Sequence, residues 1–261
     1  MQIGIRFHDT KPGTLEERIA RIQKQGFSCV QLALYAAVKD YSVEDEALVP
    51  GYAAYLKRLF SKYQMDIAVL GCYKNLANPD PVQLTKIQQS YFAHIRLASL
   101  LGCGVVGTET GTPNAEYVYE PAAHSEAALE KFIQNLSPVV ACAEKFGVIL
   151  ALEPVWHHIV YNVDRARRVL DVIHSPNLQI ILDPVNLLAF ENYQQCENIF
   201  QEAFAKLEAE IAVVHLKDFR VVGNKLQETA AGEGMMDYTS LFRLIKMKKP
   251  FLQVSLENTI P

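Results

Sequence analysis

The stretch VILALE (148–153) ends in Glu153; QIILD (179–183) then ends in Asp183, and AVVH (212–215) in His215. A fourth run, LQVSLE (252–257), closes on Glu257. Apolar runs this short, separated by long segments of helical periodicity, read as parallel strands buried on both faces. Parallel strands share a direction, so their carboxyl ends lie on one side. If the sheet curls into a barrel, the four terminal residues meet at one mouth, where α/β barrels carry their chemistry.

Four earlier runs complete the pattern: MQIGIRF (1–7), FSCVQLAL (27–34), MDIAVLGCY (65–73) and GVVGTE (104–109). Helices alternate with them. Thr14 and Glu17 form a capping box that opens the first, and Gly26 stops it. The second begins near Val43 or Gly51 and ends at Tyr63, and the third runs from the proline-rich loop at Pro79 and Pro81 to Gly102. The fourth, from Ser125 to Gly147, is expected to break or kink near Pro138. NVDRARRVLDVIH (162–174), 192–210 and a short segment at 237–246 supply the rest. Eight strands with seven helices between them predict a (β/α)8 TIM barrel of eight parallel strands. It reads as one domain over 1–261, because no Ser/Gly/Pro-rich linker or charge block divides the chain. Only four residues follow Glu257, so the final helix, which should cover the seam between strands eight and one, is missing. Either the chain is cut short there or a partner subunit covers the seam, and an uncovered apolar seam favours a homo-oligomer.

The formal charge of −4 offers no general attraction to phosphate backbones or anionic membranes, so neither nucleic acid nor membrane is an expected partner. No apolar stretch approaches the length of a membrane span, and Met1 leads straight into the first strand; a cytoplasmic protein is expected. Five unclustered cysteines suit reduced thiols in the core.

One acid after a strand is usually a helix cap. Glu, Asp, His and Glu after four successive strands are harder to dismiss, because three crowded carboxylates are unfavourable unless a cation neutralises them. Three oxygen donors and one nitrogen suit one divalent metal ion, Mn²⁺ first, with Mg²⁺, Co²⁺ or Zn²⁺ also compatible.

On these residues the chain resembles the xylose isomerase-like barrels, which include sugar phosphate isomerases and epimerases, ketose 3-epimerases, inosose dehydratases and an apurinic endonuclease branch. The matching motifs are ALEP with Glu153, ILDPVN with Asp183, VVHLKD with His215, Lys217 and Asp218, GEG (232–234) before Asp237, and SLEN with Glu257. The resemblance implies that Glu153, Asp183, His215 and Glu257 bind one divalent metal and that Glu153 and Glu257 double as the acid/base pair. It thus implies an isomerase or epimerase of a small sugar or sugar phosphate, with proton transfer through a metal-stabilised enediolate. A hydride shift, dehydration of an inosose or hydroxy-keto acid on the same site, and a non-catalytic sugar-binding relic stay open. So does a metal-free glycosidase using two of Glu109, Glu153 and Glu257, although it leaves Asp183 and His215 unexplained. Where the family often has His, three residues after the strand-six Asp, this chain has Asn186, a poor metal ligand that can bind a hydroxyl. The ends of strands three and four, GCYKN and GTETG, lack the histidines of the trinuclear endonucleases.

Further residues reach the same mouth. Lys217 and Asp218 are candidate substrate ligands, with pairing to each other or to nearby loops as the plainer reading. Glu109, at the end of strand four, and His157, with His158 and Trp156, are candidate sugar contacts. Glu233 is read as a substrate contact or as a support for His215, unless it is only a turn residue. For Arg6 and His8, packing or an ion pair is the expected role. The glycines Gly102, Gly104 and Gly107 match G-x-G-x-x-G, but they follow a helix and open a strand, the reverse of a dinucleotide fingerprint.

Overall fold

In the computed structural model, which describes residues 1–259, the apolar runs become strands β1 (Gln2–Arg6), β2 (Cys29–Leu32), β3 (Asp66–Gly71), β4 (Val105–Glu109), β5 (Ile149–Glu153), β6 (Leu178–Leu182) and β7 (Ile211–Leu216). A two-stranded insertion, β8 (Asp218–Val222) and β9 (Lys225–Thr229), precedes the last, β10 (Gln253–Leu256). The barrel closes in the order β1-β10-β7-β6-β5-β4-β3-β2, every pair parallel. Closure runs through β1, which pairs with β2 on one side and with β10 on the other.

Side chains alternate across a strand, so residues two apart share a face. On the inner face Cys29, Ala68, Val69, Ala151, Ile181 and Val213 form a small apolar plug of their own. The next inward positions toward the carboxyl ends are Gln31, Glu153, Asp183 and His215, with Lys217 one step further. Alternation thus converts an apolar floor into a polar mouth within two residues. The floor is tight: a Cβ on Gly107 would lie 2.6 Å from Val69 Cγ1 and 2.9 Å from Ile181 Cδ1, so only hydrogen fits there.

The outer faces of the strands pack under α1 (Leu15–Lys24), α2 (Leu34–Ala37), α3 (Pro50–Lys62), α4 (Pro81–Leu101), α5 (Glu126–Phe146), α6 (Val163–Ile173), α7 (Cys196–Leu207) and α8 (Thr239–Lys248). Ile19, Ile22, Leu56, Phe132, Leu136 and Phe200 are buried in this outer core, each worth about 1.5–3 kcal/mol of burial. The Thr14–Glu17 capping box forms, and Gly147 ends α5 in the left-handed conformation at φ 64°.

Two expectations need correction, and one element is unannounced in the sequence. α5 is not broken at Pro138, which lies on its exposed face, where the carbonyl that loses its partner can be solvated. β2 stops at Leu32, and Leu34 instead opens the single turn α2. Between β7 and α8 the chain forms an antiparallel hairpin that no strand reading above anticipates, with Asp218 opposite Thr229 and a turn at Gly223 (φ 59°). Among the described residues no helix follows β10, and Ile3 on the outer face of β1 is left 40% exposed beside the seam. Ile260 and Pro261 lie outside the described residues. Among the described residues no helix is long and apolar enough to cross a membrane.

Candidate functional site

Glu153 is the last residue of β5, Asp183 follows β6, His215 lies in β7 and Glu257 follows β10; each is less than 5% exposed. The strand ends therefore bring three of the four into one group, with Glu257 beside it. Ligand atoms of Glu153, Asp183 and His215 lie within 4.8 Å of one another. Glu257 joins them through His215, whose Nδ1 is 3.2 Å from Glu153 Oε1 and 3.2 Å from Glu257 Oε1.

One face of Asp183 is spoken for: Oδ1 accepts from the backbone N–H of Val185 at 2.8 Å and of Asn186 at 3.2 Å. Its Oδ2 is buried with no hydrogen-bond partner among the described residues, as is His215 Nε2. A buried carboxylate oxygen left bare is rare and needs an explanation, such as an ion it receives; the acids gather at His215 Nδ1, the nitrogen on the other side of the ring from the bare one. The donor set of carboxylates and one imidazole fits a divalent ion of the Mn²⁺ or Zn²⁺ kind. Asn186 donates from Nδ2 to Glu153 Oε1 at 2.7 Å, fixing that carboxylate.

Electrostatics follow from the crowding. Burial lowers the affinity of His215 for a proton, but Glu153 and Glu257 outweigh it and push the imidazole up to about 9. Asp183 is pushed up to about 7, by burial first and, against the pull of Lys217, by Glu153 and Glu257. Burial also works to raise Glu257, yet His215, Lys217 and Arg6 hold it below the usual carboxylate range.

Two cations serve these acids. Lys217 Nζ lies 3.0 Å from Glu228 Oε1, 3.4 Å from Asp183 Oδ2 and 3.9 Å from Glu257 Oε2. Arg6 binds Glu257 Oε2 through NH1 at 3.0 Å, grips both oxygens of Asp9 through Nε, and donates from NH2 to Asn258 Oδ1 at 2.6 Å. Above them opens a cavity of about 450 Å³ lined by Arg6, His8, Gln31, Tyr35, Tyr73, Glu109, Tyr117, Glu153, His157, His158, Asn186, Lys217, Glu228 and Glu257.

Glu109 faces this cavity and accepts a hydrogen bond from Tyr117 at 2.9 Å. Burial, and then Glu153, raise it to about 7. His158 Nδ1 is 3.8 Å from Glu109, but burial and His157 press the imidazole down to about 4, so it stands there neutral rather than as an ion-pair partner.

Not every candidate reaches the mouth. Asp218 is one residue past Lys217, so alternation turns it to the other face of the strand. There its Oδ1 accepts from the backbone N–H of Phe219 and Met236 and its Oδ2 from that of Gly232, which ties the hairpin to the GEG loop. Glu233 is exposed, near Thr229 and Arg220. Trp156 packs edge-on against His124 and Tyr161. Sequence reasoning missed Gln31, Tyr35, Tyr73, Tyr117 and Glu228. Gln31 and Tyr73 share a bond of 2.6 Å under the site and carry an alternation signal that could have found them. Glu228 comes from the unforeseen hairpin.

A family model described as xylose isomerase-like TIM barrel matches residues 19–257. No curated protein matches the sequence. Among solved structures, 3-keto-D-glucoside 4-epimerase from E. coli superposes with a TM-score of 0.74 at 15% identity, over 100% of this chain and 93% of that one. A probable 3-DHS dehydratase from Bacillus anthracis gives 0.74 at 14% identity, over 98% and 92%. The IOLI protein, solved with a bound zinc atom, gives 0.72 at 18% identity, over 100% and 90%. At these identities the likeness is one of fold.

Proposed function

The chain belongs to the xylose isomerase-like TIM barrel family, and on that premise we propose that it is a divalent-metal-dependent isomerase or epimerase of a small sugar or sugar phosphate, acting by proton transfer. The observation that carries this reading is the convergence of Glu153, Asp183 and His215 within 4.8 Å, with a buried bare carboxylate oxygen on Asp183. Glu257 is the fourth ligand in the proposal, and Mn²⁺ the favoured ion. A bound divalent ion would draw electrons from a carbonyl and its neighbouring hydroxyl and so ease loss of the carbon-bound proton.

The chain's own residues supply the proton traffic. Glu153 and Glu257 come from strands that bracket β6 and β7 in the barrel wall, so a sugar carbon lying between them has a carboxylate on each side. One can remove the proton and the other return it. Asn186 keeps Glu153 aimed, and Arg6 does the same for Glu257. Lys217, Glu109 and His157 are the proposed contacts to substrate oxygens; Asp218 and Glu233 have no such role in this proposal. Five unpaired cysteines suit the reducing cytoplasm proposed for it. A homo-oligomer is the assembly in this proposal.

The test is solvent deuterium exchange into a panel of ketoses and their phosphates by the Mn²⁺-loaded protein, with product analysis. Exchange lost in Glu153→Gln, with an isomer or epimer as product, supports the reading. An unsaturated product assigns a dehydratase instead. No exchange with any sugar, or exchange indifferent to chelator, overturns it.

A further inference from the structure

Lys217 is a cation built into the wall of the site. It follows His215 by two residues and so shares its inward face, and it is 4% exposed. An ammonium so placed competes with a divalent ion for the same carboxylates. Yet it stops 3.4 Å from Asp183 Oδ2, without hydrogen-bonding that oxygen, and 3.9 Å from Glu257 Oε2. Its short contact is the outer one, 3.0 Å to Glu228 Oε1 on β9.

Glu228 is itself held. Its Oε2 accepts from Asn258 Nδ2 at 2.9 Å, and Asn258 Oδ1 accepts from Arg6 NH2 at 2.6 Å. The hairpin is tied to the GEG loop through Asp218 and the backbone N–H groups of Gly232 and Met236. A carboxylate anchored at the rim therefore draws the ammonium outward. Without it, Lys217 has Asp183 and Glu257 as its remaining acidic partners among these contacts.

We propose that Glu228 is a positioning residue that holds Lys217 away from Asp183 and Glu257, so that the β8–β9 hairpin sets the affinity of the site for its divalent ion. This rests on the metal-centre reading above. Unit charges about 4 Å apart attract strongly enough near a protein surface for such a competition to be felt.

The experiment is calorimetric titration of chelator-treated protein with MnCl₂, on wild type, Glu228→Gln, Lys217→Met and the double variant, with thermal unfolding without metal as the check on folding. Glu228→Gln is expected to weaken Mn²⁺ binding about tenfold in the wild-type background and less than about twofold when Lys217 is already Met. Unchanged binding in Glu228→Gln overturns the proposal. Equal losses in both backgrounds also overturn it, because Glu228 then acts through its own charge and not through Lys217. Wild type that binds no Mn²⁺ overturns the metal-centre reading itself, and this one with it. Should the Lys217→Met proteins not fold, Glu228→Asp decides: it keeps the charge, leaves Asn258 and Arg6 unchanged and shortens the reach to Lys217. A several-fold loss of Mn²⁺ affinity supports the proposal, and wild-type affinity overturns it.

Discussion

The imidazole of His215 and the carboxylate of Glu257 stand 3.2 Å apart across the β7–β10 pair, both buried. Glu153 lies at the same distance from the same nitrogen. A charged His215 is thus a counter-charge shared by these two acids, beside the contacts that Arg6 and Lys217 make to Glu257.

Replacing His215 with Gln removes that charge and leaves two buried carboxylates facing each other. The metal-free protein is expected to lose about 3–5 kcal/mol of stability, the usual result of deleting one partner of a buried pair. Urea denaturation in the presence of chelator measures it; a loss below about 1 kcal/mol would show that His215 is not their counter-charge.

Asn186 touches Glu153 at 2.7 Å. Asn186→Ala should leave the fold intact and slow deuterium exchange about 10- to 100-fold, the range for losing a support behind a reacting group. Exchange at the wild-type rate would remove Asn186 from the machinery.

Glu109 ties stability to pH. Its folded-state value near 7 lies above that of the unfolded chain, so the folded form holds the proton more tightly. Stability from this group is present at low pH and is lost as pH rises from the unfolded value through about 7. In chelator, Glu109→Gln should therefore match wild type at about pH 4 and melt at a higher temperature above about pH 7.5. Thermal midpoints across that range check the sign.

Asp218 accepts three backbone N–H groups, and a Cβ on Gly234 would lie 2.2 Å from its Oδ1. Asp218→Ala and Gly234→Ala should each lower stability by about 1–3 kcal/mol through unsatisfied or displaced backbone groups. Proteolysis should find the hairpin first. Cleavage at wild-type rates in both variants would contradict a structural role.

Much of this was legible in the chain itself. Apolar runs ending in Glu153, Asp183, His215 and Glu257 announced parallel strands, and their number announced a closed barrel, because burial on both faces leaves a strand no polar side to mark. The break expected at Pro138 did not occur, because a proline on the exposed face of a helix leaves its unpaired carbonyl to solvent. Asp218 misled for a geometric reason. Adjacent residues in a strand face opposite ways, so nearness to Lys217 in sequence set it apart in space.

By itself, then, the sequence determined the order of strands, the direction they share and the four residues at their ends, since periodicity and residue type are local properties. Only the tertiary structure decided which neighbours those residues keep. That Lys217 leans on Glu228, that Asn186 serves Glu153, and that Arg6 reaches across the seam to Glu257 are distances between segments far apart in the chain. Such distances are set by barrel closure and by a hairpin with no strong local signal, and no pattern within one segment encodes them.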